Sequence, residues 1–292
     1  MKKFSLFLLF ALPFACSLNS CSSDDETEKV SITLDATNLT NDGYFDGMMY
    51  YKITSKSPKE VVVNKAEESV IKIEIPNNVK IEGNVYKCTS IAKEAFKNCK
   101  SLTTISIPNN VATIGVSAFW NCVGLTSIDI PNSVTTIGEN TFYGCSGLTS
   151  ISIPNSVTTI GEKTFYDCRG LTSISIPNGV TTIEKGVFYG CSGLTSISIP
   201  NSVTSIGVYS FHGCSGLTSI SIPNSVTSIE ERAFYFCSEL KEIHCKATNP
   251  PASNYYSFDN DTYNNAILYI PKGTLDAYKK TDWKNFKNIV EE

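Results

Sequence analysis

Histidine and cysteine side chains are the commonest carriers of metal and nucleophile chemistry, and this 292-residue chain has two of the first and eleven of the second. Structural zinc needs thiolates and imidazoles at short spacing. No two cysteines stand three apart, and His212 and His244 are the only histidines, so no metal centre and no cofactor are expected. Glu242 and His244 are two residues apart, which puts them on one face of a strand. They form the sole acid–base couple the sequence offers, and the expectation for them is a solvated polar patch. The serines Ser150, Ser152, Ser173, Ser175, Ser196, Ser198, Ser219 and Ser221 have no base beside them, and a serine nucleophile requires one within hydrogen-bond reach. Two acidic stretches, Asn41–Gly47 and Asp259–Asn265, carry oxygen donors suited to calcium but lack the regular spacing of a hand-type loop, and are expected to be plain loops. The chain is therefore read as a non-enzyme.

What the spacing does show is order of another kind. Cys99, Cys122, Cys145, Cys168, Cys191, Cys214 and Cys237 recur every 23 residues. Phenylalanines keep the same step from Phe96 to Phe234, and prolines from Pro108 to Pro223. The string GLTSISIPNSV occurs at Gly147, Gly193 and Gly216, and once more at Gly170 with a single change. A fixed period between about 20 and 50 residues marks a solenoid whose coils stack on one another. Within one coil Leu148, Ile151 and Ile153 alternate with Thr149, Ser150 and Ser152, so the apolar set points inward. Pro154 and Asn155 end the strand, because proline brings no N–H to a ladder. Val157 and Ile160 form a second, shorter extended segment, and EKTFYDC closes the coil as a helical turn that buries Phe165 and Cys168. Strands pairing in parallel at about 4.8 Å would make eight or nine coils into a sheet roughly 40 Å long.

This order decides how the cysteines are read. Apart from Cys16 and Cys21, nine remain, an odd number, and seven fill one buried column. Cys88 takes the slot of Val134 and Val157, and Cys245 that of Ile153. Neighbours in a column lie one strand spacing apart with parallel side chains, whereas a disulfide needs Cβ atoms about 3.8 Å apart and a near-perpendicular torsion. All nine are expected to be free thiols that act as small buried hydrophobes. The column after each core phenylalanine is different in kind: Lys97, Trp120, Tyr143, Tyr166, Tyr189, His212, Tyr235. With Phe165 and Cys168 inward, Tyr166 projects from the edge of its coil, and the column becomes an aromatic stripe. Rings with polar tips are favoured at interfaces, so Trp120, Tyr143, Tyr166, Tyr189, His212 and Tyr235 are the candidate partner-binding residues. The competing reading is that the rings cover one another and the coil backbone.

The net charge is −4 and the basic residues form no run, which excludes a phosphate-tracking surface and with it nucleic acid as partner. The opening MKKFSLFLLFALPFAC has two lysines and then an apolar run too short to span a bilayer, as in a secretory signal.

The coil pattern Leu-Thr-Ser-Ile-x-Ile-Pro-Asn-x-Val-Thr-x-Ile, closed by x-Phe-x-x-Cys, resembles the BspA-like leucine-rich repeats of bacterial surface antigens, from about Tyr44 to the C-terminus. The resemblance implies a right-handed leucine-rich repeat array of 23-residue coils with a long parallel sheet, short second strands and helical turns. It further implies an N-terminal hairpin cap (Phe45–Thr54 with Lys59–Val63), a first coil (Ile75–Ile91) lengthened by a hairpin turning at Gly83–Asn84, and a closing strand and helix over Ile267–Phe286. LNSCSSDDE resembles a lipoprotein box, with Leu18 and Ser20 before Cys21, which would be the lipid attachment residue; Cys16 is the alternative, with poorer flanks. Ser22–Glu26 is similar to the acidic tag of lipoproteins that reach the outer face of the outer membrane. The implied organisation is a lipoprotein signal (1–20), polar tether (21–43), N-terminal cap and irregular coil (44–91), regular repeats (92–245) and C-terminal cap (246–292). The implied role is adhesion: a lipid-anchored module at the cell surface that binds host matrix proteins or other cells and touches the membrane through its anchor alone. The alternative is an envelope protein that binds glycan along the aromatic ladder.

Overall fold

A computed structural model describes residues 32–292; the signal segment, Cys16 and Cys21 lie outside them. Each regular coil begins with a three-residue strand such as Ser150–Ser152, turns where the Val157 amide bonds to the Pro154 carbonyl (3.0 Å), and continues through the two-residue strand Thr159–Ile160. Coils stack in parallel at a register of one repeat, Ile128 on Ile151 and Ile137 on Ile160. Like side chains therefore form files. The leucine, valine and phenylalanine files and the thiol file are buried along the array. Eight phenylalanine rings, Phe96 to Phe258, lie face to face at 5.0–5.6 Å. The last of them breaks the 23-residue step and comes from the C-terminal cap.

The third side of the coil differs from the expected helical turn. Alternate amides bond within the coil, Tyr166 to the Lys163 carbonyl and Cys168 to that of Phe165, while those between reach the next coil: Lys163 to Lys185 (3.0 Å), Phe165 to Val187 (2.9 Å) and Asp167 to Tyr189 (2.7 Å). Lys163 and Asp167 hold left-handed φ of 53° and 55°, which turns their amides outward. A helix would spend every amide internally and leave none for the neighbouring coil. The arc is thus a third ladder joining coils.

The strand that opens each coil forms a column that is continuous in register, with bonds that alternate in length. From Thr103 to Lys241 the amide of the residue before the strand bonds back to the preceding coil at 2.7, 3.3, 2.9, 3.4, 3.0, 3.5 and 2.9 Å in turn. The shorter bonds join pairs such as Ser127–Asp129 with Ser150–Ser152 and Ser173–Ser175 with Ser196–Ser198, and the longer ones link these pairs along the expected parallel column. Coils approach so closely at Gly147 that a Cβ there would lie 2.3 Å from the Val123 carbonyl oxygen, which explains the glycine that opens the repeated string.

The caps close both ends. Met49–Lys56 and Lys59–Ala66 form the expected antiparallel hairpin, and the second strand pairs in parallel with Asn84–Ile91. The inserted hairpin turns at Glu82–Gly83, one residue earlier than expected, because Asn84 is already paired with Ile81 and both loop residues have positive φ, 48° and 80°. The tether expected to reach residue 43 gives way to structure at Ile32, since Ile32–Leu34 pairs with Asn78–Ile81 and buries Leu34. At the other end Ile267–Ile270 is followed by the helix Leu275–Tyr278, and the strand Asn288–Glu291 adds one more rung. Trp283 donates its indole N–H to the Pro251 carbonyl (2.8 Å). No helix among the described residues is long and apolar enough to cross a membrane.

Candidate functional site

The arc places the aromatic column where spacing expected it. Because Phe165 and Cys168 point into the core, Tyr166 emerges at the coil edge, and the parallel register lays each ring on the next. Trp120, Tyr143, Tyr166, Tyr189 and His212 stack at 4.0–4.6 Å with interplanar angles of 2–7°. Tyr235 continues the stack at 6.0 Å and 18°. The Lys97 ammonium sits 5.9 Å over Trp120 and pairs with Glu94. Stacking covers the ring faces, so the ladder turns its edges and hydroxyls to the surface. Burial, then the Asp167 carboxylate and the Tyr189 hydroxyl, push the Tyr143 hydroxyl up in pKa, and burial does the same for Tyr166. The hydroxyls stay protonated and able to donate. His212 is held below the ordinary imidazole range by burial first and the Arg232 charge second.

A flanking column escaped the sequence reading. Three residues before each ladder position stand Ser117, Asn140, Lys163, Gly186, Tyr209 and Arg232, all in the left-handed region. Tyr209 packs edge-on against Tyr189 and His212. Its hydroxyl accepts from the Arg232 guanidinium at 3.0 Å, and that guanidinium lies 5.7 Å over the Tyr209 ring and 5.8 Å over Tyr235. Phe236, exposed, borders the ladder on its other side, edge-on to His212 and Tyr235. The signal in the sequence was one of absence: glycine stands where neighbouring coils have a long side chain.

The other candidates do not assemble a reacting centre. His244 stacks on Tyr269 at 4.4 Å, with Nδ1 3.2 Å from a Glu292 carboxylate oxygen and Nε2 3.8 Å from one of Glu242. Both ring nitrogens face carboxylates, so neither is directed at the serine column. Asp259–Asn265 is not a loop: Asn260–Asn265 is a helix, and the two Asp259 oxygens accept the amides of Thr262 and Phe236, both at 2.8 Å. In the other acidic stretch Asp46 accepts the Met48 and Met49 amides and the Tyr51 hydroxyl. These carboxylates are committed to holding the chain.

The nine cysteines from Cys88 to Cys245 are free and buried. Along the file each thiol from Cys122 to Cys237 donates to the phenylalanine carbonyl 26 residues earlier, at 3.0–3.2 Å. Burial pushes Cys88 and Cys99 up to about 12, and lifts Cys168, Cys191, Cys214, Cys237 and Cys245 above the ordinary thiol range. Thiolate is the reactive form, so the file is structural.

Residues 66–194 and 158–281 match the model of the BspA type leucine rich repeat region, in six copies. Among solved structures, a leucine-rich repeat protein from Bacteroides ovatus is 26% identical over 85% of this chain and 76% of that one, with a TM-score of 0.62. The T. pallidum leucine rich repeat protein is 26% identical over 68% of this chain and 90% of its own, at 0.56. A leucine rich cell surface protein from Faecalibacterium prausnitzii shares the fold at 22% identity, 85% and 94% coverage and 0.54. A search of curated proteins gives no match.

Proposed function

Because this chain belongs to the BspA type leucine rich repeat family, a family of repeat scaffolds, we propose that it is a protein-binding adhesion module held at the cell surface, with the aromatic ladder as its contact face. The observation that carries this reading is the ladder itself: six half-buried rings in register, with faces covered and edges and hydroxyls outward. Tyrosine and tryptophan edges bring apolar area together with hydrogen-bonding tips, a combination enriched in protein interfaces. A sugar-binding aromatic would leave a ring face free for the ligand, and stacking removes that surface; this favours a protein partner over the glycan alternative. The surface location rests on the sequence around Leu18–Cys21 and on the acidic Ser22–Glu26. Lipid on Cys21 would tether the array, since acyl chains contribute about 0.8 kcal/mol per buried methylene. The partners in view are host matrix proteins or the surfaces of other cells.

The test is a triple substitution, Tyr143→Ser, Tyr166→Ser and Tyr189→Ser, in protein whose circular dichroism matches the parent. Binding to plates coated with fibronectin, laminin or collagen, and to intact cells, should fall at least tenfold. Unchanged binding removes the ladder from the proposal, and a parent protein that binds none of these surfaces removes adhesion. Protease shaving of intact cells and mass spectrometry of the N-terminus address surface exposure and the lipid on Cys21.

A further inference from the structure

The column beside the ladder is interrupted once, and the interruption makes a notch. Asn140, Lys163, Tyr209 and Arg232 project side chains from a left-handed position with φ of 53–57°; Gly186, at 61°, projects none. The gap opens into a cavity of about 390 Å³ over the edges of Tyr166 and Tyr189. Lys163, Lys185 and Arg232 line it, and no carboxylate does. The lining is cationic on a chain whose net charge is −4. Of the nearby acids, Asp167 pairs with Arg169 at 3.3 Å and Glu231 pairs with Arg232 through Nε at 3.6 Å, so the unpaired charge of the lining is that of Lys163 and Lys185. The ammonium groups of Lys163 and Lys185 have no ion pair or hydrogen bond among the described residues. Arg232 is oriented by its contact with the Tyr209 hydroxyl, and its buried Nε has no hydrogen-bond partner. The guanidinium is thus preoriented with Nη2 unspent, a donor suited to bind a carboxylate.

We propose that this notch seats an acidic side chain of an extended polypeptide that runs along the ladder. Charge complementarity fixes the sign of the occupant. The gap is one side chain wide, and the rings at its floor offer edges rather than a face on which a sugar could stack. Lys163 and Arg232 are three coils apart, about 14 Å at the spacing of parallel strands, a span that about four extended residues cover. An acidic strand that places one side chain in the notch can therefore also meet the cations at both ends of the cavity.

The inference deepens the adhesion reading, and its test is separate. The probe is a fluorescently labelled hexaglutamate peptide, followed by anisotropy at 50 and 300 mM salt, with hexaglutamine and tetragalacturonate as comparisons. Hexaglutamate should bind at least tenfold more tightly than hexaglutamine, and the higher salt should weaken it several-fold. Lys163→Gln and Arg232→Gln should each weaken binding at least threefold. Gly186→Asn fills the notch with a residue that the same column already holds at Asn140, and the Cβ it adds comes tightest to the flexible Lys163 Cγ, at 3.3 Å, with ordinary contacts to Tyr166 and Tyr189 at 3.9 Å. That variant should keep the parent's circular dichroism and lose at least tenfold in affinity. Absence of hexaglutamate binding, equal binding of hexaglutamine, or undiminished binding to Gly186→Asn would overturn the proposal. Tighter binding of tetragalacturonate would overturn the polypeptide assignment. None of these outcomes touches the ladder test, which reads partners of any charge.

Discussion

Raising the pH should unfold this protein through its thiol file. Eight of the nine buried cysteines (Cys88, Cys99, Cys122, Cys168, Cys191, Cys214, Cys237 and Cys245) have native pKa values above the ordinary thiol range. In the unfolded chain each returns to about 8.5. The neutral thiol is therefore favoured by the fold, and the native state binds more protons than the unfolded state at alkaline pH. Stability is whole below about pH 8.5 and falls as pH rises toward the native values, which for Cys88 and Cys99 lie at about 12. One unit above its unfolded pKa each thiol kept neutral by the fold forfeits about 1.4 kcal/mol, so the seven apart from Cys245 together forfeit about 10 kcal/mol near pH 9.5. That matches the whole stability of a typical domain, roughly 5–15 kcal/mol. The assay is urea unfolding under a non-thiol reductant between pH 7.5 and 9.5. The midpoint should fall steeply above pH 8.5, and replacing Cys168, Cys191 and Cys214 together with alanine should reduce the steepness by about three-eighths. Native protein should resist thiol-directed reagents at pH 7.5, while denatured protein exposes all nine. A midpoint that is flat up to pH 9.5, or a triple variant with undiminished pH dependence, would refute the argument.

Two further outcomes test the packing. Phe165 is fully buried between Phe142 and Phe188, each 5.6 Å away, so Phe165→Ala should cost about 3–5 kcal/mol; hydrogen exchange should show the loss concentrated in the adjacent coils, and a cost below about 1 kcal/mol would mean that the rings do not bear on one another. Truncation after Asn265 removes Leu268, Ile270, Tyr278, Trp283 and Phe286, all buried, and opens the last paired strand; the product should aggregate on size-exclusion chromatography, and a soluble, cooperatively folding truncation would sink the cap assignment.

Most of the architecture could be read from spacing because a stacked coil makes each residue answer to the residue 23 positions away. Files of Leu148, Val157, Phe165 and Cys168 follow from periodicity alone, and so does the stack of Trp120 to Tyr235. What escaped was set by contacts other than the repeat. EKTFYDC carries helix-compatible residues, yet the amides of Lys163, Phe165 and Asp167 bond to the next coil, a partner that local propensity cannot see. Asp259 reads as part of an acidic loop until the Phe236 amide arrives from the preceding coil to share it with the helix end. Phe258 completes the ring file from outside the period. The notch at Gly186 was hidden because a missing side chain in one coil has meaning only beside the side chains above and below it.

The same comparison between coils locates specificity. The serine pairs from Ser150 to Ser221 repeat unchanged over four coils, so an extended ligand lying on that face would meet the same groups after a shift of one coil and could not choose a register. Along the arc the flanking column reads Asn140, Lys163, Gly186, Tyr209, Arg232 and changes at every rung. A ligand displaced there by one coil, about 4.8 Å, trades a cation for a gap or a gap for a ring. Discrimination is a difference between bound states, and across these four coils it is the arc, not the serine face, that provides such a difference. The uniform files hold the coils in line, and the register they impose turns a column of unlike residues into an addressable surface.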